Sequence, residues 1–315
     1  MNLPDGLKTA EFRIPLRFDV SLARYSTFQI GGPARYFAEP TTSEELELLL
    51  QFARQEKIPF LAIGKGSNLL FPDEGFPGLV ATLIHFEPER IVFDKTNYTV
   101  TVSSGIHLYR LALAARDQGF GGLEFLSHIP GTVGGALVMN AGFSRFPGRK
   151  MEIGDFVQEV SALTPAGEAV RLGRESLEFS YRKSNLEGLV LLGAQLKLFP
   201  RDREEIQKEI QANFSYRNKV QDVRYPSVGS VFKNPPGDSG SAGQLIDRAG
   251  LKGKRIGGAM ISPRHANFIV NVGGARATDV LRLIELVQEK VSELFGVRLE
   301  PEVRLLRNWA EQPQS

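Results

Sequence analysis

The stretch from Gly119 to Gly142 constrains the fold more than any other part of this 315-residue chain. It reads GFGGLEFLSHIPGTVGGALVMNAG, with Gly131, Gly134, Gly135 and Gly142 spread among apolar residues and Pro130, a composition that no regular element needs. Two physical explanations stand. The glycines let the main chain press against a large flat ligand while Ile129, Val133 and Ala136 supply apolar contact, or they make a buried loop tight by packing.

A second glycine-bearing loop, GKGSNLLF over 64–71, follows the apolar strand PFLAIG. Such a loop can turn successive N–H groups toward a phosphate or pyrophosphate, with Lys65 adding charge; the alternative is a plain tight turn. It is neither a dinucleotide fingerprint, since Leu69 stands where the third glycine belongs, nor a Walker A loop, whose spacing is longer. A third segment, YPSVGSVFKNP from Tyr225 to Pro235, puts a hydroxyl beside aromatic, basic and amide groups. If it is extended, Ser230, Phe232 and Asn234 point one way, Val231 and Lys233 the other. It is either an active-site strand or a glycine-kinked structural strand ended by Pro235 and Pro236.

The rest of the chain supports an ordinary globular protein. Hydrophobic residues make up 42% and charged residues 23%, and the formal charge is +2, with no basic block suited to nucleic acid or a membrane surface. There is no cysteine, which excludes disulfides, thiolate chemistry and cysteine-ligated metals; four scattered histidines without paired spacing argue against a histidine-based metal site, and no metal is expected. A redox reagent must therefore be brought in. No secretory signal or membrane span is legible, so a cytoplasmic location is expected.

Periodicity gives an α+β pattern. An irregular arm over 1–24 precedes STFQIGGPARYF, in which Gly31 and Gly32 end a short strand. Thr42 and Glu45 form a capping box for a helix that buries Leu46, Leu49 and Leu50 and ends near Lys57. IVFD and YTVTV form a hairpin before a helix over 108–118, and VQEVSALTPAGEAVRL turns at 165–167. Arg182, behind two aromatics in SLEFSYRKSN, is placed to clamp a carboxylate or to sit solvated at a strand end. Pro200 and the charged run RDREE mark a domain boundary, followed by a helix over 204–214. Thr278 caps a last helix with Val280, Leu283, Ile284, Val287, Val291 and Leu294 on one face, and Gly296 stops it. LEPEVRLL then alternates, with Leu299, Val303 and Leu305 facing the core.

Taken in order, STFQIGGPA, GKGSNLL, FLSHIPGTVGGALVMNAG, YRKS, PSVGSVFKNP, SAGQLIDRAGLKG, RHANFIVN and LEPEV resemble the UDP-N-acetylenolpyruvoylglucosamine reductase family from about Tyr25 to Leu306. The resemblance implies a vanillyl-alcohol-oxidase-type FAD-binding fold of two α+β subdomains over 25–200. A smaller α+β substrate-binding domain would occupy 201–307, with a tail over 308–315. It implies reduction of the enolpyruvyl ether of UDP-N-acetylglucosamine by NADPH through FAD, giving UDP-N-acetylmuramate for peptidoglycan. FAD would be held by Gly64, Lys65, Gly66, Ser67, Asn68 and Leu69, by Ile129, Pro130, Gly131, Thr132, Gly134, Gly135 and Ala136, and by Asn140. Arg182 and Glu302 would act at the enolpyruvyl group, Ser230 would donate the proton, and Tyr181, Lys233 and Asn234 would bind the UDP-sugar.

Two departures from the family pattern stand out: His128 replaces a usual glycine, and Gln221-Asp222 replaces Gln-Pro, so no role is carried over between Arg217 and Asp222. The chain also resembles the shorter branch, which lacks a tyrosine-bearing insertion. The alternatives are a flavin oxidase or dehydrogenase acting on another substrate, and a nucleotide-sugar-binding protein without catalysis.

Overall fold

The structure, a computed structural model, describes residues 14–88, 90–143 and 151–306. Helix α1, Ser43–Gln55, starts where Thr42 Oγ1 accepts the Glu45 N–H at 3.3 Å. The Glu45 carboxylate accepts from Thr41 N–H and Oγ rather than from Thr42, so the reciprocal half of the capping box is displaced by one residue. Leu46, Leu49 and Leu50 are buried with Tyr36, Leu79 and Ala81 of a four-stranded sheet ordered Arg17–Ser21, Pro33–Ala38, Phe76–Thr82, Phe60–Ile63. Two expectations are corrected here. Part of the irregular arm is the edge strand Arg17–Ser21, whose mostly exposed residues hide it from hydrophobic patterning. The strand near Gly31-Gly32 begins after them, at Pro33, a first-residue position that tolerates a missing N–H.

The second subdomain is a five-stranded antiparallel sheet, ordered Ala169–Gly173, Val157–Leu163, Val190–Lys197, Thr99–Ser103, Ile91–Asp94. Helix α2, Leu108–Gln118, covers it and stops at Gly119, whose φ of +73° is a left-handed cap. The glycine-rich stretch is not wholly irregular: it holds a 3₁₀ turn at Glu124–Leu126 and a six-residue helix α3, Val133–Val138. Val133, Ala136 and Leu137 anchor α3 in the core formed with Val100, Val102 and Leu111.

Helix α4, Arg203–Val220, is capped by Asp202 and runs past the expected stop at Phe214. It packs on α2 and on Glu124–Leu126, with Asn213 donating to the Glu124 carbonyl at 2.9 Å and Arg201 bridging Glu124 and Glu209. Helix α5, Ala242–Arg248, opens with the Ser241/Gln244 capping box. Three short strands, Arg255–Ile256, Ala259–Ile261 and Ile269–Asn271, lead to helix α6, Ala277–Phe295.

The expected Thr278 cap of α6 is also corrected. Asp73, two hundred residues earlier, accepts from the N–H groups of Ala277 (2.7 Å) and Thr278 (3.1 Å) and Asp279 accepts from the Arg276 N–H (3.0 Å), so the cap is shared between a distant and a local carboxylate. Leu294, at 57% exposure, leaves the apolar face, and Gly296 ends the helix at φ +68° as its position implies. Phe28, Ile30 and Leu70 share one core with Val231, Leu245, Leu283 and Val303, so the C-terminal part is fused to the first by apolar packing. Only Arg304–Leu305 of the closing segment forms a strand, pairing in parallel with Leu69–Leu70. No helix among the described residues is long and apolar enough to cross a membrane.

Candidate active site

A cleft of about 730 Å³ lies where these parts meet. Its lining includes every residue of Gly64–Leu69, together with Ile129–Thr132, Gly134–Ala136, Arg182, Ser230, Asn234 and Glu302. Asn140, Tyr181 and Lys233 are not among its walls.

The glycines do two different jobs. A Cβ on Gly66, which stands at φ +61°, would lie 2.1 Å from the Tyr25 carbonyl oxygen, and one on Gly64 would lie 2.2 Å from Thr132 Oγ1. These glycines let the first loop press on its own protein and meet the second loop. Gly131 and Gly135 differ: the nearest atoms to an added Cβ would be Ser67 Oγ at 3.4 Å and Thr132 Oγ1 at 3.8 Å. Their missing side chains leave room in the cleft itself.

The Gly66 carbonyl is held by Thr27 N–H and Ser26 Oγ, whereas the N–H groups of Lys65, Gly66 and Ser67 donate to no group among the described residues. Ser104, also in the lining, has a buried Oγ without a partner among the described residues. Bare main chain, unused donors and the apolar Ile129 fit a flat ligand carrying a phosphate.

Arg182 sits in the two-residue turn between Phe179–Ser180 and Lys183–Ser184, at φ +58°, a conformation unusual for arginine. Its Nε donates to Glu302 Oε1 at 2.6 Å and its Nη2 to the Gly142 carbonyl at 3.2 Å, while Nη1 is buried without a hydrogen-bond partner among the described residues. Both members of the ion pair are largely buried, so the interaction is poorly screened. Glu302 occupies the Nε edge of the guanidinium, leaving Nη1 and the second Nη2 hydrogen for a ligand carboxylate. Tyr181 stacks on Arg182, its hydroxyl 3.5 Å from the Asn234 N–H, and Lys233 faces Glu300 at 3.4 Å.

The segment carrying Ser230 is not a regular strand. Ser230 bridges Phe268 on one side and Phe232 bridges Pro301 on the other, so the chain is sandwiched and Val231 and Phe232 are both fully buried. The strict alternation expected for it therefore fails at Phe232, although Ser230 and Asn234 do share the cleft. Val231 donates to the Asn267 carbonyl and accepts from the Glu302 N–H at 2.7 Å, while the Asn267 side chain grips both backbone groups of Phe232. This ladder ties Ser230 to Glu302. Gly229 has open space around it and φ +81°, so the backbone turn, not crowding, requires glycine.

Several lining residues were not read from sequence. Tyr216, Arg217 and Gln221 project from the last turns of α4, where a polar surface facing a ligand cleft looks like a polar surface facing solvent. Arg217 donates to the His128 carbonyl and to Gln221 Oε1, and burial pulls its pKa down. Asp222, the departure from Gln-Pro, is a buried carboxylate held by Arg224 and Ser262; chiefly the Arg224 hydrogen bond keeps its pKa below the usual carboxylate value. His128 is buried against Phe143, with ring centroids 4.1 Å apart. His265 lines the cleft, its buried Nδ1 has no partner among the described residues, and burial lowers its pKa.

Comparison with known proteins gives two family matches: "UDP-N-acetylenolpyruvoylglucosamine reductase, C-terminal domain" over 221–306 and "FAD binding domain" over 34–173. A Symbiobacterium thermophilum protein named UDP-N-acetylenolpyruvoylglucosamine reductase 2 is 43% identical over 294 residues, covering 93% of this chain and 91% of its own. A Synechococcus reductase is 43% identical over 307 residues, with 96% and 95% covered. The crystal structure of the Thermus caldophilus reductase superposes with a TM-score of 0.75 at 39% identity, covering 93% of this chain and 98% of that one.

Proposed function

The chain belongs to the UDP-N-acetylenolpyruvoylglucosamine reductase family, and from that premise we infer how its cleft works. It is an FAD- and NADPH-dependent oxidoreductase on the vanillyl-alcohol-oxidase-type fold, reducing the enolpyruvyl ether of UDP-N-acetylglucosamine to UDP-N-acetylmuramate in peptidoglycan synthesis. Bound FAD would supply the hydride-transfer chemistry between NADPH and the substrate. The Gly64–Leu69 loop and the 129–136 segment hold it, the first through unused N–H groups and the second through bare main chain.

The remaining roles fall to this chain's side chains. Arg182 binds the enolpyruvyl carboxylate through Nη1, and its positive charge stabilises the enolate that forms when hydride adds to the β-carbon. Glu302 keeps the guanidinium in place through Nε. Ser230 gives its hydroxyl proton to the α-carbon; the C–H bond forms as the O–H bond breaks, and solvent returns a proton to the serine oxygen. A serine is a weak acid in water, but an enolate carbon is basic enough to take its proton in a positioned pair. Asn234 contacts the UDP-sugar from the cleft wall, while Tyr181 and Lys233 act from behind it. The flavin part spans 25–200 and the substrate part 201–307, in a protein that works in the cytoplasm.

The observation that carries this reading is Arg182 itself, which lines the same cleft as Ser230, is held through Nε by the largely buried Glu302, and keeps an Nη1 with no hydrogen-bond partner among the described residues. The test is anaerobic. NADPH should bleach the bound flavin, and the enolpyruvyl UDP-sugar alone should restore its colour; reoxidation by other acceptors with indifference to that substrate would indicate an oxidase or dehydrogenase instead.

A further inference from the structure

We propose that Asn140, which the family resemblance would assign to FAD, is instead the positioning residue that sets the Arg182 clamp. The proposal rests on the reading of Arg182 given above. Asn140 is 1% exposed, absent from the cleft wall, and held at φ +44°. Its Nδ2 donates to the Ser180 carbonyl and to Glu152 Oε2, each at 2.9 Å, and its Oδ1 accepts the Gly154 N–H at 3.0 Å. None of these partners lines the cavity that would hold a flavin.

The connections form a strap. Residues 138–142 leave the end of α3, whose other end bears the cleft glycines, and grip the Arg182 hairpin at three successive points. The Val138 carbonyl accepts from Ser184 Oγ at 3.0 Å, the Asn140 amide donates to the Ser180 carbonyl, and the Gly142 carbonyl accepts from Arg182 Nη2 at 3.2 Å. Asn140 is the middle point and the only one of the three that uses its own side chain. It also explains how Arg182 keeps its left-handed backbone: the turn is pinned on both flanks, at Ser180 and Ser184, so that Nη1 is delivered to one place. A carbonyl and an amide are sufficient for this task, and neither needs the cofactor.

Two substitutions separate positioning from binding and from folding. Asn140→Gly removes the side chain at a φ that glycine adopts freely, and Asn140→Asp keeps the acceptor for Gly154 while losing both donors. The holoenzymes should retain FAD and bleach normally with NADPH, yet reoxidise with enolpyruvyl substrate about 10²-fold more slowly, the scale of an ångström-sized misplacement. On an Arg182→Ala background the same changes should have no further effect on reoxidation. Loss of FAD affinity with normal reoxidation, wild-type kinetics, full additivity with Arg182→Ala, or failure of both variants to fold would each overturn the proposal. If Arg182→Ala alone reoxidises like wild type, the underlying role of Arg182 is what has failed.

Discussion

Gly66 and Gly135 both lie in the cleft wall, yet alanine at each should act in opposite directions. At Gly66 the new Cβ meets the Tyr25 carbonyl oxygen at 2.1 Å and the Ser26 Cα at 3.0 Å, both backbone atoms that cannot rotate away, and the residue would sit at φ +61°. The left-handed backbone costs about 1–2 kcal/mol for a non-glycine residue, and forcing apart packed backbone costs roughly 1–3 kcal/mol more. A loss of about 3 kcal/mol should lower Tm by roughly 6–12 °C in a domain of this size. A side chain at Gly66 should therefore disturb the fold first.

Gly135 lies inside α3, exposed to the cleft, with only Thr132 Oγ1 near an added Cβ, at 3.8 Å. Alanine is favoured over glycine in a helix by up to about 1 kcal/mol. Gly135→Ala should therefore leave the apoprotein as stable as wild type or more so, while weakening FAD by about tenfold or more, a loss near 1.4 kcal/mol. Melting curves of apo- and holoprotein beside a flavin fluorescence titration read both quantities. Wild-type melting of Gly66→Ala, or unaltered FAD affinity in Gly135→Ala, would refute the division of the glycines into packing and ligand-facing sets.

Arg182→Lys should not rescue the clamp, because an ammonium cannot hold Glu302 and a carboxylate at once; reoxidation by substrate should fall about 10²–10³-fold, and near-normal turnover would rule out the guanidinium's role. Asp73→Ala should remove the acceptor of the Ala277 and Thr278 N–H groups, leaving only Asp279 on the Arg276 N–H, and cost about 1 kcal/mol, seen as a lower Tm, with Asp73→Asn milder; an unchanged Tm would make the two bonds ornamental. His265, held below its ordinary pKa chiefly by burial, binds fewer protons folded than unfolded, so its contribution to stability is full above about pH 6.5 and is lost as pH falls toward the lowered value. Tm measured from pH 7.5 to 5 should fall less steeply in His265→Gln; an identical slope would show that another group sets the acid limb.

The sequence was most legible where a signal is local. Thr42 and Glu45 mark the start of α1, Gly119 and Gly296 the ends of α2 and α6, and 165–167 a turn, because each depends on neighbours a few residues away. The failures share a cause of the opposite kind. Part of the cap of α6 comes from Asp73, the partner of Leu69–Leu70 is Arg304–Leu305, and Val231 and Phe232 are buried together because two distant segments flank them. Arg17–Ser21 is a strand with an exposed pattern because it lies at a sheet edge. The motif residues brought to the cleft show the same divide: the loops around Gly64 and Gly131 stand out by composition, whereas Arg217 and His265 are ordinary until α4 and the turn before Phe268 fold over the cavity. Asn140 was legible as a motif residue, but its partners, at 152, 154 and 180, were not.

The central claim is that Ser230 completes the reduction begun at the Arg182-bound substrate, and one single-turnover experiment on Ser230→Ala tests it most directly. With FAD bound, the variant should accept hydride from NADPH at the wild-type rate, because Ser230 Oγ makes no hydrogen bond among the described residues and its loss leaves the backbone bridge to Phe268 intact. Mixed with enolpyruvyl UDP-sugar in a stopped-flow instrument, the reduced enzyme should then regain its flavin colour about 10²–10⁴-fold more slowly. Ser230→Cys should recover part of that rate, since a thiol can also give a proton. Normal reoxidation of the alanine variant, or a defect confined to the NADPH step, would contradict the account and return Ser230 to a structural hydroxyl beside Gly229.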